Sequence, residues 1–346
     1  MKELIHRALK KNTSKLNYLF DKTVLVTGAG GSIGSELSEQ VAELGAKTII
    51  LLGVSEKSIS EIYRRLHDIF PSVSFFEVIG NITNYNRMEE VFSKYKPDII
   101  FHCAAHKHVD IMESNVKEAI ENNIYGTKNI ALLSMRFKAE KFILVSSDKA
   151  VYPVSIMGAT KRVCELYINR LQQLSYKTKF ITTRLGNVLG SQGSVIEIFE
   201  SQIQNCKPIT ITDENMTRYF LTIPEAVELI LHAGDLGSGG EIFVMDMGDP
   251  IKIKDLAIDL IKLHGLKPYE DVPIKYIGLR PGEKLNEQLR YEKEELEKTE
   301  HERIFKVKQP ELDWFSFDRK MRLLESLKEE DHIKRVLKEI IPEYNG

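Results

Sequence analysis

The hydrophobic pattern between Lys22 and about Phe180 alternates short apolar runs with longer amphipathic segments. Six runs are rich in β-branched and aromatic residues, and each predicts a buried strand: KTVLVTG, KTIILLG, VSFFEVIG, PDIIFHCAA, KFILVSSD and KFITTRLG. Segments between them place apolar residues every three or four positions, as helices do: SELSEQVAEL, SEKSISEIYRRLHDIF and YNRMEEVFSKY. This alternation predicts an α/β fold with a doubly wound parallel sheet that is covered on both faces.

The pattern changes after Gly186, where Gly and Pro residues separate shorter elements. We therefore divide the chain into an N-terminal helix at residues 1–20, a large α/β domain at 21–189 and a smaller domain at 190–346. We expect some strands and helices of the last segment to return to the large domain. Within it, the charged stretch YEKEELEKTEHER predicts a solvated helix.

Composition narrows the class of protein. The chain has 346 residues, a formal net charge of -2 and 42% hydrophobic residues, which is ordinary for a globular protein and gives no reason to expect a nucleic-acid partner. No apolar run approaches the ~20 residues of a membrane helix, and the N-terminus lacks the apolar core of a secretory signal. Three scattered cysteines indicate neither a disulfide framework nor a metal site. We expect a cytoplasmic protein without a membrane span, a metal ion or nucleic acid.

A glycine-rich turn follows the first predicted strand, in TVLVTGAGGSIGSELSEQV. Gly28, Gly31 and Gly34 form a TGxxGxxG pattern, and Ser32 and Ile33 open the next helix. Glycine is needed there because the turn is tight and the backbone must approach a pyrophosphate without a Cβ in the way. The N–H groups at the start of the helix then face the phosphates. The sequence therefore predicts a Rossmann-type sheet that binds NAD or NADP.

The choice between NAD and NADP stays open at the second predicted strand. An acidic residue ordinarily ends that strand and binds the adenosine ribose of NAD, but this chain has Gly53 there. Ser55 and Lys57 are candidates to contact a 2′-phosphate, whereas the glutamate between them is close enough in sequence to bind a hydroxyl. At the end of the third strand, Asn81 and Ile82 either meet the adenine edge or form a turn.

Several further motifs accompany the glycine turn: SSDKA, IMGATKR, RLGNVLGSQGSVI, ITDENMTRYF and GLRPGEKLNEQL. Together they resemble the nucleotide-sugar 4,6-dehydratases of bacterial polysaccharide and glycoprotein biosynthesis, which are extended short-chain dehydrogenases. HCAAHKHVDIME is similar to the UDP-N-acetylglucosamine 4,6-dehydratase group in particular. The resemblance covers roughly residues 20 to 300, and it implies a smaller C-terminal domain that binds a UDP-sugar.

The catalytic helix departs from the usual short-chain dehydrogenase pattern. That pattern is YxxxK, in which the lysine lowers the pKa of a tyrosine that takes the substrate proton. Met157 stands in the tyrosine position, four residues before Lys161, and a thioether cannot accept a proton. Lys161 can still bind the nicotinamide ribose, while the base for the sugar C4 hydroxyl must come from elsewhere. Ala104, after the fourth predicted strand, is also assigned to the cofactor.

Asp148 and Lys149 complete the implied catalytic set. By resemblance, Lys149 removes the C5 proton after C4 is oxidised, and Asp148 protonates the C6 hydroxyl that leaves. We expect burial and the nearby Lys161 cation to depress the pKa of Lys149, because only a neutral amine is a base. The cofactor takes a hydride and returns it, so we expect it to be tightly bound and recycled. The structural alternative is that Asp148 caps a turn and Lys149 is a surface cation.

The resemblance also implies a set of substrate-binding residues: His106, Lys107, Asn123, Asn187, Ser194, Val195, Arg218, Arg280 and Glu283. Asn123 is expected to orient the active-site region, and Glu283 to hold the uridine ribose. Arg218 and Arg280 are expected to meet the diphosphate, because a guanidinium pairs bidentately with phosphate oxygens. A lone histidine such as His106 is as often a loop residue.

Several functions remain open at this point. HKHVDIME and IMGATKR favour a dehydratase that retains the configuration at C5 over one that inverts it. A UDP-sugar 4-epimerase shares the oxidation at C4 but needs no acid and base at C5 and C6. A catalytically silent NAD(P)-binding sensor is suggested by Met157, although Asp148, Lys149 and Lys161 speak against it. By resemblance we expect a homodimer or a higher homo-oligomer.

Overall fold

The computed structural model describes residues 16–308 and 312–346 of the chain. The helix predicted at 1–20 falls mostly outside these residues, and its described part contains a 3₁₀ turn at Asn17–Leu19. Within the described ranges, no helix combines the length and the apolar character needed to cross a bilayer.

Fifteen strands occur in the described residues, and they are numbered here in chain order. Their bounds are β1 Thr23–Thr27, β2 Thr48–Gly53, β3 Ser74–Ile79, β4 Ile99–His102, β5 Lys141–Ser147, β6 Lys179–Leu185, β7 Asn187–Val188, β8 Ile209–Ile211, β9 Thr217–Arg218, β10 Phe220–Leu221, β11 Ile242–Met245, β12 Ile251–Lys252, β13 Ile274–Tyr276, β14 Glu295–Lys298 and β15 Ile304–Lys308. Nine of them form one sheet, in the order β14-β15-β11-β6-β5-β4-β1-β2-β3. The strands from β11 to β3 in this order are parallel to their neighbours, whereas β15 and β14 are antiparallel.

The six strands predicted between residues 22 and 186 all form, as β1 to β6. Five are buried as expected, whereas β3 lies at the edge of the sheet and most of its side chains are exposed, because it has a neighbouring strand on one side only. The apolar runs of the buried strands are nearly continuous because a parallel strand in the middle of such a sheet is buried on both faces. In β2, for example, the four residues from Ile49 to Leu52 are all buried between β1 and β3. The three predicted helices are confirmed as well.

The helices of the described residues are also numbered in chain order. Their bounds are α1 Ser32–Glu43, α2 Glu56–Ile69, α3 Tyr85–Tyr95, α4 Val109–Glu113, α5 Val116–Ala119, α6 Thr127–Arg136, α7 Ile156–Leu174, α8 Val195–Gln204, α9 Ile223–Leu236, α10 Ile253–Leu263, α11 Trp314–Ser326 and α12 Glu330–Ile340. A π-helical stretch, Ile120–Gly126, joins α5 to α6.

Two hydrophobic cores cover the two faces of the large sheet. On one face, α1, α2 and α9 pack through residues such as Leu37, Leu66 and Ile230. On the other face lie α3, α6 and α7, and the C-terminal helices α11 and α12 join the same core through Phe317 and Val336. Helices on both faces make the sheet doubly wound, as the alternation of strands and helices predicted.

A third core lies beside the carboxyl ends of the large sheet's strands. Two helices, α8 and α10, pack through Phe199 and Leu256 against the short strands β8 and β13. The pairs β7–β10 and β9–β12 connect this small lobe to the strand β6 of the large sheet. The lobe therefore sits over the edge where loops leave the parallel strands, which is where open α/β sheets bind ligands.

The charged stretch YEKEELEKTEHER does not form the predicted helix. It contains the strand β14, which pairs antiparallel with β15, so that Glu295 lies opposite Lys308. The side chains of β14 are exposed, and helical propensity is overridden here by pairing with an adjacent strand of the sheet. Charges on an exposed edge strand also discourage pairing with another chain.

A buried ion network ties the sheet, α7 and the C-terminal segment together. Arg184 of β6 is fully buried and donates to Glu165 of α7 at 3.0 and 2.7 Å and to Glu294 at 2.8 Å. Glu165 also accepts from Ser146 of β5 at 2.7 Å. Burial would raise the pKa of Glu165, but Arg184, with Arg162, lowers it to about 2.

We expect Arg184→Met to lower the free energy of unfolding by about 3–5 kcal/mol, because two carboxylates lose their buried cation. Urea unfolding followed by circular dichroism measures the change. Lys22→Met is the control, since it breaks a pair with Glu140 whose side chains are 30% and 53% exposed, and it should cost at most about 1 kcal/mol. Equal losses in the two variants would show that the network does not hold the fold.

The same variant has an expected pH dependence. The pKa of Glu165 is lower in the folded chain than its ordinary value of 4.5, so its contribution is complete above pH 4.5 and disappears as the pH falls toward 2. The gap in stability between the wild-type chain and Arg184→Met should therefore narrow over that interval.

Candidate active site

A cleft of about 730 Å³ opens where the order of the parallel strands reverses, between β1 and β4. Gly28 follows β1 and Ala104 follows β4, and both line the cleft. Ligands of open α/β sheets bind at such a reversal, outside the carboxyl ends of the strands. The cleft is therefore the place for the dinucleotide.

The glycine turn leaves no room for side chains. Gly28 has φ +68°, and a Cβ built on it would lie 2.9 Å from the backbone nitrogen of Ala104. A Cβ on Gly34 would lie 2.2 Å from the carbonyl oxygen of Gly28. The helix α1 begins at Ser32 without a side-chain cap, so its first N–H groups remain open to an anion. These residues fit the pyrophosphate of NAD or NADP.

Most residues assigned to the cofactor line this cleft. They are Gly28, Gly31, Ser32, Ile33, Gly34, Ala104 and Lys161. Four others do not line it. Ser55 caps α2 by accepting from the N–H of Ser58, and Lys57 is an exposed cation 3.9 Å from Glu61. Asn81 accepts from the N–H of Thr83, and Ile82 is buried.

A second cavity of about 230 Å³ lies between the cleft and the small lobe. Its wall is apolar at Phe199, Ile211 and Met216. Five residues assigned to the substrate also line this cavity: Asn187, Val195, Arg218, Arg280 and Glu283. His106, Lys107 and Ser194 line the larger cleft, together with Asn187 and Val195.

Lys149 lies at the boundary between the two cavities, and its side chain lines both. It belongs to a 3₁₀ turn, Asp148–Ala150, that directly follows β5. A group bound in the small cavity and a group bound in the cleft would therefore meet beside this amine.

Asp148 is completely buried beside Lys149. Its Oδ1 accepts from Ser147 Oγ at 2.9 Å and from Lys149 Nζ at 3.1 Å, while Oδ2 is buried without a hydrogen-bond partner among the described residues. Burial raises the pKa of Asp148, although the Lys149 cation opposes this. A carboxyl held in this way can keep a proton and later donate it.

Lys149 does not have the depressed pKa that the sequence suggested. Its Nζ lies 2.9 Å from Asn187 Oδ1, 3.1 Å from Asp148 Oδ1 and 3.5 Å from Glu287 Oε1. Burial lowers the pKa of Lys149, but the two carboxylates outweigh burial and leave it raised. The opposing cation is Arg218, not the expected Lys161. The expectation was wrong because a second carboxylate arrives from a distant part of the chain.

Met157 and Lys161 occupy successive turns of α7 and both line the cleft. Ser155 caps this helix by accepting from the N–H of Gly158 at 3.0 Å. Lys161 Nζ donates to the carbonyl oxygen of Val145 at 2.8 Å, and burial lowers the pKa of Lys161. Met157 thus keeps the position of the usual tyrosine without its acid–base chemistry.

The helix α7 also packs closely on the turn that carries Lys149. A Cβ on Gly158 would lie 2.3 Å from the carbonyl oxygen of Lys149. Nearby, Asn123 is buried in the π-helical stretch, where it accepts from the N–H of His106 and donates to its carbonyl and to Thr160. Asn123 lines neither cavity, so it supports the His106 loop rather than contacting a ligand.

The two predicted diphosphate arginines are held differently. Arg218 is only 6% exposed, and its guanidinium donates to the carbonyl oxygens of Lys284 and Leu285 at 2.8 and 2.9 Å. Arg280 is more exposed and forms a 3.3 Å ion pair with Asp110. The geometry places both at the wall of the small cavity, with Arg218 fixed in place.

The sequence motifs did not indicate three residues of the site: Asp110, Lys284 and Glu287. Glu287 is the most buried of them. It belongs to the motif RPGEKLNEQL, in which only Arg280 and Glu283 were expected to contact the substrate. The available signal was that Glu287 is a second carboxylate in the same motif as Glu283, but the spacing of the motif does not show which of the two faces Lys149.

The sheet order, the glycine turn and the Met157–Lys161 spacing define a short-chain dehydrogenase fold of the extended type. A family profile described as polysaccharide biosynthesis protein matches residues 24–309. The chain belongs to this family. The predicted family resemblance and the Rossmann-type fold are thereby confirmed.

Individual relatives agree with the family. The capsular polysaccharide biosynthesis protein CapD of Staphylococcus aureus is 50% identical over 291 residues, which cover 84% of this chain and 48% of CapD. The chain thus spans about half the length of that relative. UDP-glucose 4-epimerase of Rickettsia bellii is 35% identical over 286 residues, covering 81% and 80% of the two chains. The X-ray structure of Pen from Bacillus thuringiensis superposes with a TM-score of 0.78 at 33% identity, covering 85% of this chain and 91% of Pen.

We expect Gly34→Ala to lose bound dinucleotide, because the new methyl group would collide with the Gly28 carbonyl and open the turn. Cofactor content is measured by acid extraction of the purified protein followed by chromatography, and should fall at least about tenfold. Ser35→Ala is the control, since it lies on the same helix turn and removes an atom instead of adding one. Full cofactor content in Gly34→Ala would contradict the assignment of this turn.

Proposed function

We propose that the chain is a UDP-N-acetylglucosamine 4,6-dehydratase that uses a tightly bound, recycled NAD or NADP. The product would be UDP-4-keto-6-deoxy-N-acetylglucosamine. The observation that carries the proposal is the position of Lys149, beside the buried Asp148, at the boundary between the dinucleotide cleft and the small cavity. A sugar bound in the small cavity by its nucleotide would present its ring to both residues.

The reaction assigns separate tasks to the cofactor and to the chain. A bound NAD or NADP supplies a hydride acceptor for C4 and a hydride donor for C6. Lys161 binds the nicotinamide ribose, and Asn123 holds the His106 loop at the cleft. Met157 provides no proton acceptor, so the C4 hydroxyl proton leaves by another route.

The acid and the base of the dehydration lie on one turn. After C4 becomes a ketone, the C5 proton is acidic enough for an amine to remove it. Because the pKa of Lys149 is raised, its ammonium must first transfer a proton, and the acceptor is the Asp148 carboxylate, whose Oδ1 lies 3.1 Å away. This transfer leaves a neutral amine as the C5 base and a protonated Asp148 as the acid. Asp148, with a raised pKa and a buried Oδ2, donates the proton with which the C6 hydroxyl leaves as water.

The comparisons support this proposal at the level of the class. CapD is named for capsular polysaccharide biosynthesis, which consumes nucleotide-sugars, and a cytoplasmic location would give access to them.

We also propose a homodimer or a higher homo-oligomer for this chain. The similarity to UDP-glucose 4-epimerases makes 4-epimerisation the second candidate, but an epimerase has no use for the Asp148–Lys149 acid–base pair.

We expect incubation with UDP-N-acetylglucosamine to give a product that has lost one water molecule, as seen by mass spectrometry. Lys149→Ala should abolish both dehydration and hydrogen exchange at C5 in deuterated water, while calorimetry still detects nucleotide-sugar binding. Lys293→Ala, which removes an exposed lysine, is the control. Formation of a C4 epimer would favour the epimerase, and recovery of unchanged UDP-N-acetylglucosamine would favour a binding protein. A near-normal rate of dehydration in Lys149→Ala would refute the role of Lys149 as the base.

We expect the dehydration to retain the D-configuration at C5. Retention requires that the proton be returned to the face from which it was taken, which one amine can do. Inversion requires a donor on the opposite face, for which His106 is the available candidate in the cleft. Proton couplings after borohydride reduction of the C4 ketone report the configuration, and His106→Ala should leave it unchanged. L-configured products would show that the enzyme inverts.

A further inference from the structure

Glu287 is a buried carboxylate that the motifs left without a role. Its side chain is 3% exposed and lines the small cavity, and Oε1 lies 3.5 Å from Lys149 Nζ. The residue comes from the segment between β13 and β14, far along the chain from the turn of Lys149. A buried carboxylate is costly unless a cation pairs with it, so its position beside Lys149 requires an account.

The surrounding contacts fix Glu287 on the Lys149 turn. Lys284 Nζ lies 3.3 Å from Glu287 Oε2 and donates to the carbonyl oxygen of Val151 at 2.6 Å, directly after the turn. Arg218 holds the backbone carbonyls of Lys284 and Leu285. The segment therefore has two independent anchors, and Glu287 is presented to Lys149 from the small lobe.

The charged groups that face Lys149 come from three elements. Asp148 lies on its own turn, Glu287 on the segment after β13, and Arg218 on β9. Lys161 is not among them, because its amine contacts Val145. Burial favours the neutral amine, while Asp148 and Glu287 favour the ammonium and raise the pKa of Lys149. Without Glu287, Asp148 would be the one carboxylate left to raise the pKa of Lys149, while burial and Arg218 would still lower it.

We propose that Glu287 is a positioning residue, which holds the Lys149 amine at the boundary between the two cavities and stabilises its ammonium form. The inference rests on the proposed function in one respect, namely that Lys149 is the C5 base. In that reaction Glu287 touches no reacting atom and acts through Lys149. It makes the protonation of the catalytic amine depend on the contact between the small lobe and the large sheet.

The first test follows Lys149 without turnover. Acetylation of Lys149 by acetic anhydride is measured across pH by peptide mass spectrometry, since only the neutral amine reacts. In Glu287→Gln the midpoint should move to lower pH, so that the rate well below it rises about tenfold. Glu287→Asp keeps the charge but moves it away, and its midpoint should lie between those of the wild type and Glu287→Gln. Glu292→Gln, an exposed carboxyl in the same segment, is the control and should leave the midpoint unchanged.

The second test is the pH profile of kcat for dehydration. A base must be deprotonated, so the acid limb of the profile should move to lower pH in Glu287→Gln by the same interval as the acetylation midpoint. KM for the nucleotide-sugar should change less than kcat, because the nucleotide contacts remain.

The outcomes separate the two proposals. An unchanged acetylation midpoint in a folded Glu287→Gln overturns the role of Glu287. A lowered midpoint with an unchanged acid limb supports it and refutes Lys149 as the C5 base. Should Glu287→Gln fail to fold, Glu287→Asp decides in the same way, since a midpoint equal to that of the wild type would overturn the proposal.

Discussion

The arrangement of the molecule depends on the burial of one cation, Arg184, between two carboxylates. Glu165 places the helix α7 against β6, and Glu294 brings in the segment that follows the small lobe. A buried charge without a partner is strongly destabilising. Separating these elements would therefore cost a large free energy. Ser146 extends the network to the strand that ends at the Asp148–Lys149 turn. The Asp148–Lys149 turn, the helix of Met157 and Lys161, and the C-terminal segment therefore share one anchor.

The residues of the site come from three parts of the structure. The large sheet supplies the glycine turn and the Asp148–Lys149 turn, while α7 supplies Met157 and Lys161. The small lobe supplies the apolar wall of the second cavity and the carboxylate of Glu287. Lys149 lines both cavities, and the charged groups around its amine come from both the large sheet and the segment of Glu287.

Met157 occupies the position of the usual catalytic tyrosine in the helix α7, but it cannot transfer a proton. The thioether is 3% exposed and keeps the place of the usual tyrosine at the cleft. In the proposed reaction, proton transfer falls to a carboxyl and an amine on the neighbouring turn, and the pKa values of both groups are raised. In that proposal a raised pKa suits Asp148 as the acid, and Lys149 must lose its proton before it can act as the base.

The sequence alone determined the order of strands and helices in the first half, the glycine turn, and the short motifs around Asp148, Lys149 and Lys161, because these depend on local periodicity and spacing. It did not determine the edge strand β14, where pairing with β15 prevailed over helical propensity. It also misjudged the charge of Lys149. Asp148 is the sequence neighbour of Lys149, whereas Glu287 lies far along the chain and comes within 3.5 Å of the amine only through tertiary packing. Electrostatics in a buried site depends on distances in space, and only the tertiary structure decided those distances.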